Sequence, residues 1–323
     1  MRRIGKWRWA VALAAALAAV LAATAASVPR RSVEDPEATI VERRVVMAHE
    51  RGPAWWRVKD ADTTVYILGT LGAPLPAGIA WDRNLLEQRV KGAHSVVMGP
   101  RLTAGLREGP ALLGVRSKMR SSTPMEAGLA PPLRARFVAA RERLGQPAER
   151  YSGWQPVAAG QLLVQDAYAV EGAVSVEDVV RDLARKHRAP TVGASRSAPT
   201  QFRDAGAAGL TPQLQRDCLE GALEDVDAGA ARMRRSAEGW AVGDVELALT
   251  APRSFDRCLL VLSGGADLWR SATRVNANHI ADALKIPGHA VAVVSLRRLL
   301  AQDGVIQQLE ARGLKVIGPA EPS

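Results

Sequence analysis

The stretch 65-VYILGTLGAPLP-76 decides how this chain folds around its candidate site. Residues 65–68 are a short apolar run typical of a buried strand, and the glycines and prolines that follow predict a turn where the strand ends. Such turns are common positions for functional side chains. The turn 69–72 nevertheless carries no histidine, cysteine or carboxylate. The sequence therefore raises the question of whether a site has been lost from it.

The segments around this stretch predict a βαβ unit. Residues 54–58 and 63–71 are expected to form a hairpin, Asp82 to cap a helix, and residues 95–98 to form a buried strand. The turn 69–72 then lies at the carboxyl end of a strand, which is the usual location of binding sites in open α/β sheets.

The C-terminal region repeats this plan. "HAVAVVSL" at 289–296 predicts a buried strand, Asp303 is expected to cap a helix that ends at Gly313, and "LKVIGP" at 314–319 predicts a last strand. Helices dominate between the two units, the clearest beginning at Thr211-Pro212. We therefore expect an α/β fold with a mixed central sheet built from two related βαβ-like units and flanked and wrapped by helices.

Residues 1–28 have the composition of a signal peptide or an N-terminal membrane anchor. Basic residues precede an uncharged run over 9–28, and Ala23-Thr24-Ala25 offers the small residues of a cleavage site. The run is also long enough for an uncleaved anchor, and the charge before it predicts a cytoplasmic N-terminus. Both interpretations predict an exported protein, either periplasmic or anchored in the inner membrane and facing the periplasm. Residues 29–52 are expected to be a linker and 53–323 the folded domain.

Charge and cysteine content narrow the function classes. The net charge is +10, yet there is no basic block interleaved with aromatic residues, so nucleic-acid binding is not expected. In an oxidising compartment the two cysteines, Cys218 and Cys258, predict a disulfide, while two buried free thiols are an equally weighted interpretation. Neither cysteine has the CxxC partner or the histidine spacing of a metal site.

The stretch 54–99 resembles the opening of the TraB/GumN family, which is related to the Tiki metalloproteases and the pheromone-shutdown proteins. That opening runs from a tryptophan-bearing strand through YLLGTxH and LPxG to a helix and a strand that ends in glutamate. Seven positions match: Tyr66, Leu68, Gly69, Thr70, Pro76, Gly78 and Trp81. Residues 290–319 resemble the family's closing unit, in which a strand ends in a second GxxH turn, so the resemblance covers about residues 54–319.

The resemblance implies hydrolysis with a divalent metal held by the two turn histidines and nearby glutamates, and this chain departs from that pattern at each matched position. The replacements are Gly72 for the first histidine, Met98 or Gly99 for one glutamate, Ser195 for another, and Ser295-Leu296-Arg297-Arg298 for the second turn; Asn276 alone remains of an arginine–asparagine pair. Glycine, methionine and serine lack the donors that divalent ions require, and arginine repels a cation. The resemblance therefore implies a metal site that has lost its ligands.

The leading hypothesis is an exported, catalytically degenerate TraB/GumN-like protein that binds a ligand or partner in a remodelled cleft, without a cofactor. The candidate cleft residues are Gly69, Thr70, Gly72, Met98, Ser195, Asn276, Arg297 and Arg298. If the two units face each other as in the family, the arginines favour an anionic ligand such as a carboxylate, a phosphate or an acidic sugar.

Two other hypotheses stay open. One is a metal-dependent hydrolase or protease of the TraB/GumN type with displaced ligands drawn from His279, Glu177 and Asp178. The two acids also fit the first turn of a helix capped by Ser175, where negative charge is stabilising. The other hypothesis is a structural, membrane-tethered envelope protein. A serine hydrolase is not expected, because no serine lies in a GxSxG turn.

Overall fold

The computed structural model describes residues 35–41, 52–99, 101–103, 117, 119–170, 173–193, 195–197, 211–261 and 265–320. The predicted signal peptide or anchor, residues 1–28, lies outside the described residues. Among the described residues, no helix is both long and apolar enough to cross a membrane.

A six-stranded mixed sheet forms the centre of the fold, with the strand order β5-β3-β7-β2-β1-β8. The described residues form eight strands in all, of which β4 and β6 lie outside this sheet. The strands are β1 (Trp55–Lys59), β2 (Thr63–Thr70), β3 (Ser95–Val97), β4 (Arg101–Thr103), β5 (Thr191–Val192), β6 (Ser195–Ser197), β7 (Gly288–Ser295) and β8 (Val316–Ile317). Strands β2, β3, β5 and β7 pair in parallel, and β1 is antiparallel to both β2 and β8. Strands β4 and β6 pair separately.

Each of the two βαβ-like units of this sheet contains a crossover. The chain passes from β2 across β7 to β3, and later from β7 past β2 and β1 to β8. The second crossover is also parallel, because β8 is antiparallel to β1 and β1 is antiparallel to β2. Residues 290–294 of β7 are all buried, as expected for a parallel strand covered on both faces. The predicted mixed α/β fold with two βαβ-like units is confirmed.

Eleven helices of the described residues flank the sheet. They are α1 (Arg83–Val90), α2 (Pro131–Arg143), α3 (Glu149–Ser152), α4 (Pro156–Val170), α5 (Val176–His187), α6 (Pro212–Ala241), α7 (Val245–Ala248), α8 (Ser254–Val261), α9 (Gly265–Ala283), α10 (Leu296–Leu300) and α11 (Val305–Glu310). Helices α2, α3, α4 and α6 enclose a second apolar core around Phe137 and Tyr151. The predicted cap of α6 is confirmed, since Thr211 Oγ1 accepts a hydrogen bond from Leu214 N.

Two local expectations about helices are corrected by the structure. Helix α6 is broken at Gly229, which has φ 78° and ψ 167°, a conformation that glycine adopts without steric cost. The residue that caps α11 is Gly304 rather than Asp303. Asp303 has a positive φ of 59°, and its N–H donates to Gln307 Oε1 at 2.7 Å.

A short N-terminal segment, residues 35–41, contacts the folded part, and we call it the N-terminal strap. Ile40 forms a bridge with Ala301, and Val41 N donates to Leu300 O at 3.1 Å. Gln302 N donates in turn to Thr39 O at 2.9 Å. The strap lies within the range that we expected to be a linker, and it docks beside α10.

A disulfide joins Cys218 of α6 to Cys258 of α8, with a Cα–Cα distance of 5.3 Å. The structure therefore shows the disulfide and not two buried free thiols. Because disulfides persist in oxidising compartments, the bond agrees with the expectation of export.

Candidate functional site

The two turns identified in the sequence meet at one edge of the sheet. Strands β2 and β7 pair in parallel, and the last pair of their ladder joins Thr70 to Ser295. A Cβ placed on Gly72 would lie 3.2 Å from Ser295 Cβ. The carboxyl ends of the two strands, and the turns that follow them, are therefore neighbours.

A cavity of about 570 Å³ opens beside these turns. Its walls come from the ends of β2 and β7, from helices α8, α9 and α10, and from the N-terminal strap. Four of the predicted cleft residues line it: Gly72, Asn276, Arg297 and Arg298.

Three more of the predicted residues, Gly69, Thr70 and Met98, lie outside the cavity lining. The Gly69 carbonyl accepts a hydrogen bond from Trp240 Nε1 at 2.6 Å and is part of the core. Thr70 is buried and donates through Oγ1 to Glu177 Oε1 at 2.9 Å, so it contacts a residue that does line the cavity. Met98 is a core residue because its side chain packs against the buried sheet. Ser195 lies in β6, paired with Arg101.

Gly72, which stands where the resemblance places the first turn histidine, has an unusual backbone. Gly72 has φ 73°, in the left-handed region that a residue with a β-carbon enters at a cost of about 1–2 kcal/mol. The nearby Ser295 Cβ further limits the space for a side chain. Both the backbone conformation and the available space therefore favour glycine at position 72.

Three arginines bring positive charge to the cavity, and they differ in their partners. Arg253 donates to both carboxylate oxygens of Asp35, at 3.0 and 2.9 Å, and to Glu37 Oε2 at 3.2 Å. Arg297 donates to the carbonyl of Leu249. The Nε of Arg298 is buried without a hydrogen-bond partner among the described residues.

Arg297 and Arg298 form no salt bridge with the described carboxylates, unlike Arg253. Burial lowers the pKa of both guanidinium groups. Because a guanidinium group keeps its proton in proteins, both groups stay charged at neutral pH. Part of the cavity wall thus carries positive charge that none of the described carboxylates pairs with directly.

Three carboxylates also line the cavity: Glu37, Glu177 and Asp256. Glu37 Oε1 accepts a hydrogen bond from Trp269 Nε1 at 2.8 Å. Asp256 keeps exposed surface at the cavity, and partial desolvation of its carboxyl group, reinforced by the charges of Asp225 and Glu37, raises its pKa to about 6. The negative charge of Asp256 is therefore lost on mild acidification.

Asn276 is the most informative side chain in the cavity wall. It is 1 % exposed, and neither its Nδ2 nor its Oδ1 has a hydrogen-bond partner among the described residues. Each buried polar atom left unpaired costs about 1–3 kcal/mol. An amide retained at such a cost is expected to bind a molecule that enters the cavity.

The residues present do not fit a divalent metal. The described part of the chain holds no group of three or more His, Cys, Asp or Glu side chains that could bind one. Of the proposed displaced ligands, Glu177 lines the cavity, whereas Asp178 pairs with Arg181 and His279 is absent from the lining. The guanidinium groups of the same cavity oppose a cation further.

Several of these residues escaped the sequence analysis. These residues come from two segments that are distant in sequence, and no short motif connects them. They are Asp35 and Glu37 in the first segment and Arg253, Asp256 and Trp269 in the second. Glu177 is predicted both as a displaced metal ligand and as an acid in the first turn of a helix, and it does lie in the first turn of α5. Its carboxylate also accepts a hydrogen bond from Thr70, a tertiary contact that no local pattern records.

Comparison with protein families gives a match over most of the chain. The model of the TraB/PrgY/gumN family matches residues 54–317. No curated protein and no solved structure matches the chain.

Proposed function

Since the chain belongs to the TraB/PrgY/gumN family, we propose that it is an exported, catalytically degenerate member that binds an anionic ligand. The site is the cavity at the carboxyl ends of β2 and β7. The observation that carries the proposal is the combination of Arg298 and Asn276, which line one cavity with buried polar atoms that have no partner among the described residues.

The chemistry of this wall favours a carboxylate or phosphate. A guanidinium group offers several N–H donors in a planar fork that matches such oxyanions, and charge-assisted hydrogen bonds of this kind are the strong ones. Arg298 has an unused Nε donor, and Asn276 adds an amide donor and an acceptor. The amide oxygen of Asn276 can also accept a hydrogen bond from a hydroxyl group of an acidic sugar.

Catalytic degeneracy follows from the replaced ligands. Gly72 takes the place of one histidine in a backbone conformation that favours glycine, and Arg297 and Arg298 stand in the second turn. Export is supported by the composition of residues 1–28 and by the disulfide between Cys218 and Cys258.

The test is a thermal-shift and calorimetric titration of the purified full chain with inorganic phosphate, succinate and glucuronate at constant ionic strength. A ligand present at a hundred times its Kd stabilises the fold by about 2.7 kcal/mol. For a domain of this size we expect a saturable Tm increase of roughly 5 °C or more.

Two variants identify the cavity as the binding site. Arg298→Gln is expected to weaken binding at least tenfold, since a buried charge-assisted contact contributes about 1.5–3 kcal/mol. Arg274→Gln is the matched control, because Arg274 is an exposed arginine of α9 outside the cavity lining. Saturable binding that survives Arg298→Gln, or no response to any of the three anions, contradicts the proposal.

A further inference from the structure

We infer that the N-terminal strap is an intramolecular competitor for the anion, occupying Arg253 with its own carboxylates and thereby restricting ligand binding in the cavity. This inference rests on the proposed function, because it concerns the regulation of the same site. It assigns a regulatory role to residues 35–41.

The carboxylates of the strap contact Arg253 as an anionic ligand would. Asp35 accepts two hydrogen bonds from the guanidinium group in a bidentate pair, and Glu37 accepts a third. These side chains are largely buried, with 11 % of Asp35, 13 % of Glu37 and 14 % of Arg253 exposed. The pair is therefore well shielded from solvent, and both terminal nitrogens of the guanidinium group are occupied, while its buried Nε has no partner among the described residues.

The strap is docked next to the turn that carries Arg297 and Arg298. Val41 N donates to Leu300 O and Gln302 N donates to Thr39 O, so the strap is held at the end of α10. Helix α10 begins at Leu296 and includes Arg297 and Arg298. The same short helix thus supports both the strap and the arginines of the cavity.

The position of Glu37 indicates that the strap competes with the anionic ligand and does not help to bind it. Glu37 lines the cavity and also accepts a hydrogen bond from Trp269. Its negative charge repels an incoming anion, and Arg253 becomes available only after Asp35 and Glu37 have withdrawn. Ligand and strap are then mutually exclusive on Arg253, so each lowers the apparent affinity of the other by the same factor.

The first test is Asp35→Asn/Glu37→Gln in the full chain. The apparent Kd of a protein that must open equals its intrinsic Kd divided by the open fraction, so the gain in affinity measures how far the strap is closed. We expect phosphate, succinate or glucuronate to bind about tenfold more tightly to the double variant. The matched control is Asp182→Asn/Glu142→Gln, which changes the net charge equally at two exposed carboxylates and should leave the affinity unchanged.

The second test uses the wild-type chain and does not depend on the variant folding. The amides of Val41 and Gln302 are hydrogen-bonded through the docked strap, so hydrogen–deuterium exchange reports its release. Saturation with the anion that binds most tightly should accelerate exchange at both amides. Unchanged exchange, together with unchanged affinity in Asp35→Asn/Glu37→Gln, overturns the inference but leaves the proposed function standing. Absence of binding to both proteins overturns the two together.

Discussion

Replacing Asn276 with leucine separates a residue kept for binding from one kept for packing. Asn276 is 1 % exposed, and both polar atoms of its side chain lack hydrogen-bond partners among the described residues. Leucine has the same branched arrangement of side-chain heavy atoms and no polar atoms. If the amide serves a ligand, Asn276→Leu should stabilise the protein without ligand and abolish the stabilisation that the anion provides.

The magnitude follows from the burial of the amide. Removing an unpaired buried polar group recovers about 1–3 kcal/mol, and the added apolar surface increases the gain. A net stabilisation of roughly 2 kcal/mol corresponds to a Tm increase of about 4–8 °C in a domain of this size. Residues that serve binding often lower the stability of the folded protein in this way.

The assay is urea denaturation followed by circular dichroism, with and without the anion. Thr273→Val is the matched control, since Thr273 lies one turn earlier in α9, is fully buried, and donates a hydrogen bond to Trp269 O at 2.8 Å. This control should lose about 0.5–1.5 kcal/mol, because it removes a bond that is made. An Asn276→Leu protein that is less stable than wild type and still binds the anion would refute the reasoning.

Three further predictions concern the disulfide, the core under the turn and the pH dependence of binding. The double variant Cys218→Ala/Cys258→Ala should lose about 4 kcal/mol of unfolding free energy, given the 40-residue separation of the two cysteines, and dithiothreitol should reproduce this loss in wild type but not in the variant. Gly69→Ala should cost about 1–3 kcal/mol in a thermal melt, because its Cβ would overlap the Leu296 side chain; an unchanged Tm would contradict the packing. Glucuronate affinity, measured by calorimetry, should rise as the pH falls through about 6, because Asp256 then loses its negative charge, and Asp256→Asn should remove that dependence.

The hydrophobic pattern predicts the two strands that precede the turns, whereas the meeting of the turns is expected only from the family resemblance. Runs such as 65–68 and 290–294 can be buried only as central strands, and parallel pairing brings their carboxyl ends together. The positions of Gly72, Arg297 and Arg298 follow from that register. Asn276 was found because the family resemblance points to its helix, not because of a local pattern.

The rest of the cavity could not be predicted, for two physical reasons. Asp35 and Glu37 contact Arg253 across more than two hundred residues, and no periodicity records such a contact. Met98 directly follows strand β3, and its side chain packs in the core. A shift of one residue along a strand moves a side chain to the opposite face of the sheet, so the sequence could not decide whether Met98 or Gly99 faces the cavity. Gly229 breaks α6 although the apolar stripe continues through it, since a single glycine leaves the hydrophobic spacing intact.

The central claim is that this cavity has lost cation binding and gained anion binding. The most direct measurement is the metal content of the purified full chain after equilibrium dialysis against Mn²⁺, Co²⁺ and Zn²⁺, in wild type and in Glu177→Gln. We predict substoichiometric metal in both proteins. A stoichiometric divalent ion in wild type that is lost in Glu177→Gln would show a working metal site in the cavity and would contradict the account.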